Sequence, residues 1–427
     1  MSKYKSKYKG YPTYKGSGVE WIGEVPEHWE VKPAYAVAIV RNGYPFKSEL
    51  FKREGVESDR LIRIRDIAGD DESIFTKEVC PDSATISNGD VLIGMDGDFN
   101  VHRWRRGPAK LNQRMCAASG RTEAITQFLS RCLPTPLRVI NDLAYATTVK
   151  HLSSYEILHT RIAVPPTHEL TNINVVLDRE TTRIDALITK KTRFIELLKE
   201  KRSALITHAV TKGLDPNVKM KDSGVEWIGE VPEGWETLRI KRAATLRNER
   251  RNDSPDGWTY VGLEDVEPEF GRYAPTNGES RQLKDSMVGV FRAGDVLYGK
   301  LRPYLRKAII AERDGVCSTE FLVLHAGRAT ASWLHRWLLT PDVTQQVEAG
   351  CDGAKMPRAD WEHVGSIPIP LPPLTEQSTI AEFLDRETIR IDALVVKVQR
   401  SIDLLKEHRS ALITAAVTGK IDVRDAA

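Results

Sequence analysis

Cysteine is scarce. Cys80, Cys116, Cys132, Cys317 and Cys351 are spread over 427 residues, odd in number and without a CxxC pair. That usage offers neither a disulfide framework nor a thiolate metal site, and it suits a reducing compartment. No run approaches about 18 consecutive apolar residues, so no membrane-spanning helix is expected. The opening residues 1–18 are basic and tyrosine-rich without an apolar core, which is not the pattern of a secretory leader. The expectation is a cytoplasmic protein. Net charge is also small: 62 Lys and Arg against 59 Asp and Glu leave +3. That balance neither demands nor excludes nucleic acid, and local clustering has to decide.

Signatures of catalysis are missing as well. No GxGxxG follows a strand pattern, no HExxH occurs, and the 10 histidines are dispersed without metal-ligand spacing. Gly294 to Lys300 fits GxxxxGK, but Leu301 stands where a phosphate loop needs Ser or Thr for magnesium, and the interior is strand-like. A magnesium nuclease would need clustered carboxylates beside a lysine, and Glu30-Val31-Lys32 has no equivalent lysine in the second copy of its segment. The Pro-Pro pairs at Pro165-Pro166 and Pro372-Pro373 lack the flanking residues with which an amino-methyltransferase grips a flipped base. The expectation is a chain with no active site of its own.

What is present is a repeat. The stretch Leu177 to Thr211 returns as Leu384 to Thr418, an offset of 384 − 177 = 207 residues. Neither copy contains Gly or Pro, and Gly213 and Gly419 follow as stop signals. Apolar residues recur at steps of three and four. In the first copy they are Leu177, Ile184, Ile188, Ile195, Leu198, Leu205 and Ala209. In the second they are Leu384, Ile391, Val395, Val398, Ile402, Leu405, Leu412 and Ala416. Each copy therefore reads as one long helix with a heptad-like seam, about 40 residues and roughly 60 Å long at about 1.5 Å per residue. The two copies can pair as an antiparallel coiled coil within the chain, although a generic long helix could also pair with another chain. Arg202 and Arg409 fall at matching seam positions, either with packed stems and outward guanidinium groups or as an interhelical register pin.

A second repeated stretch, Ser17 to Lys32 and Ser223 to Lys241, carries Trp21, Ile22, Val25 and Trp29 opposite Trp227, Ile228, Val231 and Trp235. These tryptophans read as packing anchors that dock on the end of the rod. Between the repeated segments lie two variable regions with short strand patterns at Leu61 to Ile67 and Gly89 to Gly94, matched by Tyr260 to Val266 and Gly294 to Gly299. Helical patches follow at Thr122 to Leu133 and Ala331 to Leu339. Proline-rich exits, Ile162 to Glu169 and Ile367 to Gln377, end a strand and launch each long helix, with Thr375 as an expected N-cap. The fold class is α/β.

Cations concentrate in the variable regions. The first has Lys47, Arg103, Arg105, Arg106, Lys110, Arg114 and Lys150, interleaved with Trp104, Asn112 and Gln113. The second has Arg247, Arg250, Arg251, Lys300, Arg302, Arg306, Lys307, Lys355 and Arg358 around Tyr304. Arg and Lys neutralise phosphates and pair with guanine, while Asn and Gln can read adenine. A lone charge run is usually a solvated face. Two runs in what reads as equivalent places, each after a Gly-Asp-Val-Leu strand, favour a DNA surface.

The paired LDRET-(T/I)-RIDAL…LLKE…RSALIT helices, the SGVEWIGEVPE-x-W openings and the IPIPLPPLTEQ exit together resemble the specificity subunit of type I restriction–modification systems. The first exit, Pro165-Pro166-Thr167-His168-Glu169, departs from the family's Pro-Pro-Leu-x-Glu-Gln form, which leaves the start of the first helix open. The resemblance implies target-recognition domains at 1–165 and 213–373, joined by spacer helices at 166–212 and 374–427. It implies that each domain reads half of a split DNA site and that the helices set the unread spacer. It further implies two methyltransferase subunits bringing S-adenosylmethionine and two restriction subunits bringing ATP- and Mg²⁺-dependent cleavage, with no cofactor in this chain. The competing reading is a structural tether that gathers partner proteins without reading DNA.

Overall fold

Freed of Gly and Pro, each repeated stretch folds as one uninterrupted helix, Thr167–Lys212 and Leu374–Val417. These are called the first and second long helices. The structure is a computed structural model and describes residues 8–53, 55, 58–67, 73–143, 150–253, 255, 257–275, 287–351 and 356–424. The chain divides into two compact units. Unit 1 is residues 1–190 with 401–427 and unit 2 is residues 191–400, so the boundary falls inside both long helices.

The second long helix begins one residue before the cap expected from the sequence. Leu374 is its first residue, and the Gln377 N–H already bonds to the Pro373 carbonyl at 3.0 Å. Thr375 therefore lies inside the helix and caps nothing. Proline has no N–H to lose, and its fixed φ suits the residues just before a first turn. The first long helix starts at the matching place, because Thr167 also directly follows a Pro-Pro pair and the Leu170 N–H bonds to the Pro166 carbonyl at 2.9 Å. Both helices end at a glycine in the left-handed region, Gly213 at φ 77° and Gly419 at φ 70°. A side chain is strained in that conformation and glycine is not, so the stop is written into the sequence.

Within each unit the long helices pack side by side and antiparallel, as a coiled coil. In unit 1, Leu177, Ile184, Leu412 and Ala416 share one buried cluster, and Ile188 and Leu405 pack against it. In unit 2, Ile206, Ala209 and Leu384 are buried together with Leu205 beside them. Leu198, Ile391 and Ile402 are buried too, while Ile195, Val395 and Val398 are half-buried. The seam arginines act as register pins. Arg202 Nε lies 3.1 Å from Asp392, and Arg409 Nε lies 2.9 Å from Asp185. Asp185 and Asp392 are themselves repeat partners, since 392 − 185 = 207, so one ion pair is made twice.

The tryptophan-bearing segments anchor on the start of a long helix. Trp29 Nε1 donates to Glu169 Oε2 at 2.8 Å in unit 1, and Trp235 Nε1 donates to Glu376 Oε2 at 3.0 Å in unit 2. Both indoles are buried. An unpartnered buried N–H costs about 1–3 kcal/mol, so the carboxylate fixes the indole's orientation as well as its depth. Each proline exit pairs with its framing strand: Arg161–Val164 with Glu30–Pro33, and Pro368–Leu371 with Glu236–Arg239.

The variable region of each unit carries the same four-stranded antiparallel sheet. In unit 1 the order is Ala38–Asn42, Met115–Gly120, Val91–Gly94, Val101–Arg103. In unit 2 it is Ala244–Leu246, Phe321–Ala326, Val296–Gly299, Ala308–Ile310. Helices Glu123–Cys132 and Pro134–Leu143 follow in unit 1, and Ala331–Leu338 and Pro341–Ala349 in unit 2. A second, smaller four-stranded sheet contains one parallel pair in each unit, Lys110 beside Leu61 and Tyr260 beside Val316. The runs expected at 61–67 and 260–266 are shorter strands than their composition suggested. Asp59–Ile62 and Thr259–Val261 each give way to a 3-10 turn, at Ile64–Asp66 and Leu263–Asp265. The aspartate closes each turn on itself, with Asp66 accepting from the Arg63 N–H at 3.0 Å and Asp265 from the Gly262 N–H at 2.8 Å.

Candidate nucleic-acid interface

In unit 2 the strand Val296–Gly299 runs into a loop, residues 300–307, and a second loop lies against it. Arg302 N bonds to the Pro357 carbonyl at 2.9 Å, Ala359 N bonds to the Lys300 carbonyl at 3.0 Å, and Leu301 bridges Arg358. This brings Lys300, Arg302, Tyr304 and Arg358 to one end of the sheet, with Arg250 close enough to act on Lys300. Burial lowers the Lys300 pKa, and Arg358 and Arg250 push the same way against the opposing pull of Glu320. Arg302 is exposed, has no ion-pair partner among the described residues, and holds φ 53°. A left-handed arginine costs energy that a glycine would avoid, and such strain gathers where geometry serves a function. Tyr304 is 47% exposed, and Met356 and Met287 are exposed as well. Arg358 reaches Glu320 at 2.7 Å but stays half open to solvent.

Other sequence candidates in unit 2 are engaged within the chain. Arg247 grips the fully buried Asp295 at 2.6 and 3.2 Å. Arg251 pairs with Asp253 and lies over the Trp258 ring, Arg306 turns to Glu269 at 2.6 Å, and Lys307 donates to the Leu263 carbonyl. Lys355 lies outside the described residues. Gly294 to Lys300 is strand with a buried aspartate near its start, so its GxxxxGK spacing forms no phosphate loop.

The first cluster does not occupy the equivalent place. Val101–Arg103 pairs antiparallel with Val91–Gly94 so that Arg103 faces Val91, whereas Met115 faces Gly94. Arg103, Arg105 and Arg106 therefore sit at the opposite end of the sheet from Arg114. The true counterpart of the loop 300–307 is the loop 95–100, and the counterpart of Arg103 is Ile310, which faces Val296. Both units make this hairpin, but the first cluster lies at and beyond the end of its second strand, whereas the cations 300–307 lie in its turn. The Arg114 end of unit 1 holds exposed Gln113, half-buried Asn112, and Arg114 lying 3.5 Å from Asp96. His151, also 2.8 Å from Asp96, and Lys150, which donates to Asn141 at 2.7 Å, complete it. The bridge between Asp96 and His151 matches that between Leu301 and Arg358, so the same three loops meet in both units. Lys47 is exposed, with its backbone N–H on Glu78, and Lys110 is held by Asp59. Asp96 and His151 escaped the sequence reading; the bridging loops are remote in sequence, and only pairing joins them.

Residues 26–197 match the type I restriction modification DNA specificity domain. The chain is similar to the specificity subunits of type I restriction–modification systems. It is 26% identical over 412 residues to the type I restriction enzyme EcoBI specificity subunit of Escherichia coli, covering 90% of this chain and 85% of that protein. It is 22% identical to the EcoDI specificity subunit of the same organism, covering 78% of each. A solved chain described under "Structural basis underlying complex assembly and conformational transition of the type I R-M system" shares the fold. Its TM-score is 0.67 at 15% identity, over 92% of this chain and 98% of that one. Among the described residues no helix is long and apolar enough to cross a membrane.

Proposed function

We propose that this chain is the DNA-reading and assembly subunit of a type I restriction–modification complex, with each unit reading one part of a split duplex target. One observation carries this reading: the same three loops meet at the same end of the sheet in both units, with different side chains. Leu301, Glu320 and Arg358 stand in unit 2 where Asp96, Arg114 and His151 stand in unit 1, and Arg302 and Tyr304 follow Leu301 in the same loop. Guanidinium and amide groups on exposed loops suit base edges, and the lysines beside them suit phosphates. Methylation of adenine, with S-adenosylmethionine, and ATP-dependent cleavage belong in this proposal to methyltransferase and restriction subunits. Their proposed number is two of each, because a twice-made scaffold offers the same surface twice.

The long helices set the unread spacer in this account. Inserting one heptad into the first long helix alone, between Lys190 and Lys191, is expected to change the preferred spacer or abolish target preference while each half-sequence stays the same. Selection of targets from a random duplex pool, by the chain with its modification partner, reads this out. An unaltered spacer would remove the helices as the ruler. No sequence preference at moderate salt would leave the tether reading in place.

A further inference from the structure

The arginines displaced from the reading end line a different feature of unit 1. The loop after Val101–Arg103, the helices Glu123–Cys132 and Pro134–Leu143, and the two long helices enclose a groove of about 1000 Å³. Six cations line it, Arg103, Arg105, Arg131, Arg138, Lys406 and Arg409, against two carboxylates, Asp178 and Asp185. Three are committed: Arg103 to Glu123, Arg131 to Asp178 and Arg409 to Asp185. Arg105, Arg138 and Lys406 are exposed and have no ion-pair partner among the described residues. Arg103 Nε is a buried donor that meets no acceptor.

The remaining lining decides what kind of anion fits. Ser130, Thr135, Thr181, Thr182, Ser410 and Thr414 border the groove, with Ser130 and Thr181 bonded to their own helices, and the apolar lining is dispersed over Val101, Pro134, Ile188 and Ile413. A docked peptide helix would need apolar anchors at helical spacing. Guanidinium, ammonium and hydroxyl groups together are the set that binds phosphate and sugar. Burial, with Arg106 and Arg105, lowers the His102 pKa, and burial lowers that of Arg131 against the pull of Asp178, with Arg103 and Arg105 on the side of burial. The surplus is particular to unit 1, because Ile310 and Glu312 take the places of Arg103 and Arg105 in unit 2.

We propose that this groove is a phosphate-backbone site, holding one strand of duplex DNA without reading its bases, at the end of the sheet away from the Arg114 loop. It rests on the reading of the chain as a DNA-binding subunit and adds a sequence-independent contact on one unit only. Each phosphate neutralised adds about 0.9 to the slope of log affinity against log salt.

The test uses the full chain and a fluorescent duplex of random sequence, titrated between about 50 and about 200 mM salt. The variant Arg105→Glu/Arg138→Glu changes two exposed side chains, so folding is spared, and circular dichroism checks this. Its affinity is expected to fall at least about 10-fold, with a salt slope smaller by about two. Arg105→Lys/Arg138→Lys, which keeps the charge, is expected to stay near wild type. An unchanged slope in the Glu variant overturns the proposal, as does a wild-type chain that binds no random duplex. Loss of binding to the modification partner with the slope intact also overturns it, in favour of an acidic protein segment. Loss of target preference in wild type, with the slope effect present, would instead remove the reading function and leave the groove.

Discussion

Replacing Asp392 by Ala is expected to lower folding stability by about 3–5 kcal/mol, measured by denaturant unfolding. Asp392 is 5% exposed and lies against Arg202, which is 6% exposed, and it also pairs with Arg272. Removing the carboxylate leaves two guanidinium groups with no other ion-pair partner among the described residues, one of them buried between the helices. Desolvation already lowers the Arg202 pKa, and Asp392 is the largest opposing influence. The Phe270 ring beneath both arginines offers a π face but no negative charge. Asp185→Ala removes the repeat partner of Asp392 and is the internal control. Asp185 and Arg409 keep 52% and 40% of their side-chain surface in solvent, so that loss is expected at about 0–1 kcal/mol. Equal losses at both sites would show that burial in unit 2 does not set the strength of the pin.

Arg302→Ala/Arg358→Ala is expected to weaken binding to the cognate target by about 2–6 kcal/mol, with folding stability nearly unchanged. Each arginine that meets a base edge contributes about 1–3 kcal/mol of discrimination, and neither is buried. Glu320 loses only an exposed partner. Arg247→Ala gives the contrasting outcome, because it strips a guanidinium from fully buried Asp295 and is expected to lower stability before it touches binding. Equilibrium binding at fixed salt, beside denaturant melts of the same variants, separates the two. A double variant that binds its target as tightly as wild type would take Arg302 and Arg358 off the reading surface.

The scaffold was legible in the sequence because repetition resolves what periodicity alone cannot. Ambiguity between a helix and a strand does not arise here. Ile184, Ile188, Ile195 and Leu198 have apolar counterparts 207 residues later at Ile391, Val395, Ile402 and Leu405, and neither copy is broken by Gly or Pro. The partners of the seam arginines were less visible. Asp185 and Asp392 lie in the same repeated motif as the seam, but only antiparallel pairing brings each to the arginine of the other helix. The loops were the hardest part. Arg103 to Arg106 and Lys300 to Lys307 both follow the same strand motif, and linear distance cannot show that the first set ends the hairpin's second strand while the other makes up its turn. Counting basic residues likewise gave equal weight to Arg302, which is free of ion pairs among the described residues, and Arg247, which serves a buried carboxylate.

The central claim is that two unlike sets of loops on one repeated scaffold read two separate pieces of DNA. The most direct measurement replaces residues 247–366 with the matching region of a similar specificity subunit that has a different target. Modified adenines are then mapped when the hybrid is expressed with the methyltransferase subunit proposed as its partner. The account predicts that one block of the target changes, while the other block and the spacer between them stay as in the parent. A single contiguous target, or a hybrid in which both blocks change together, would contradict it.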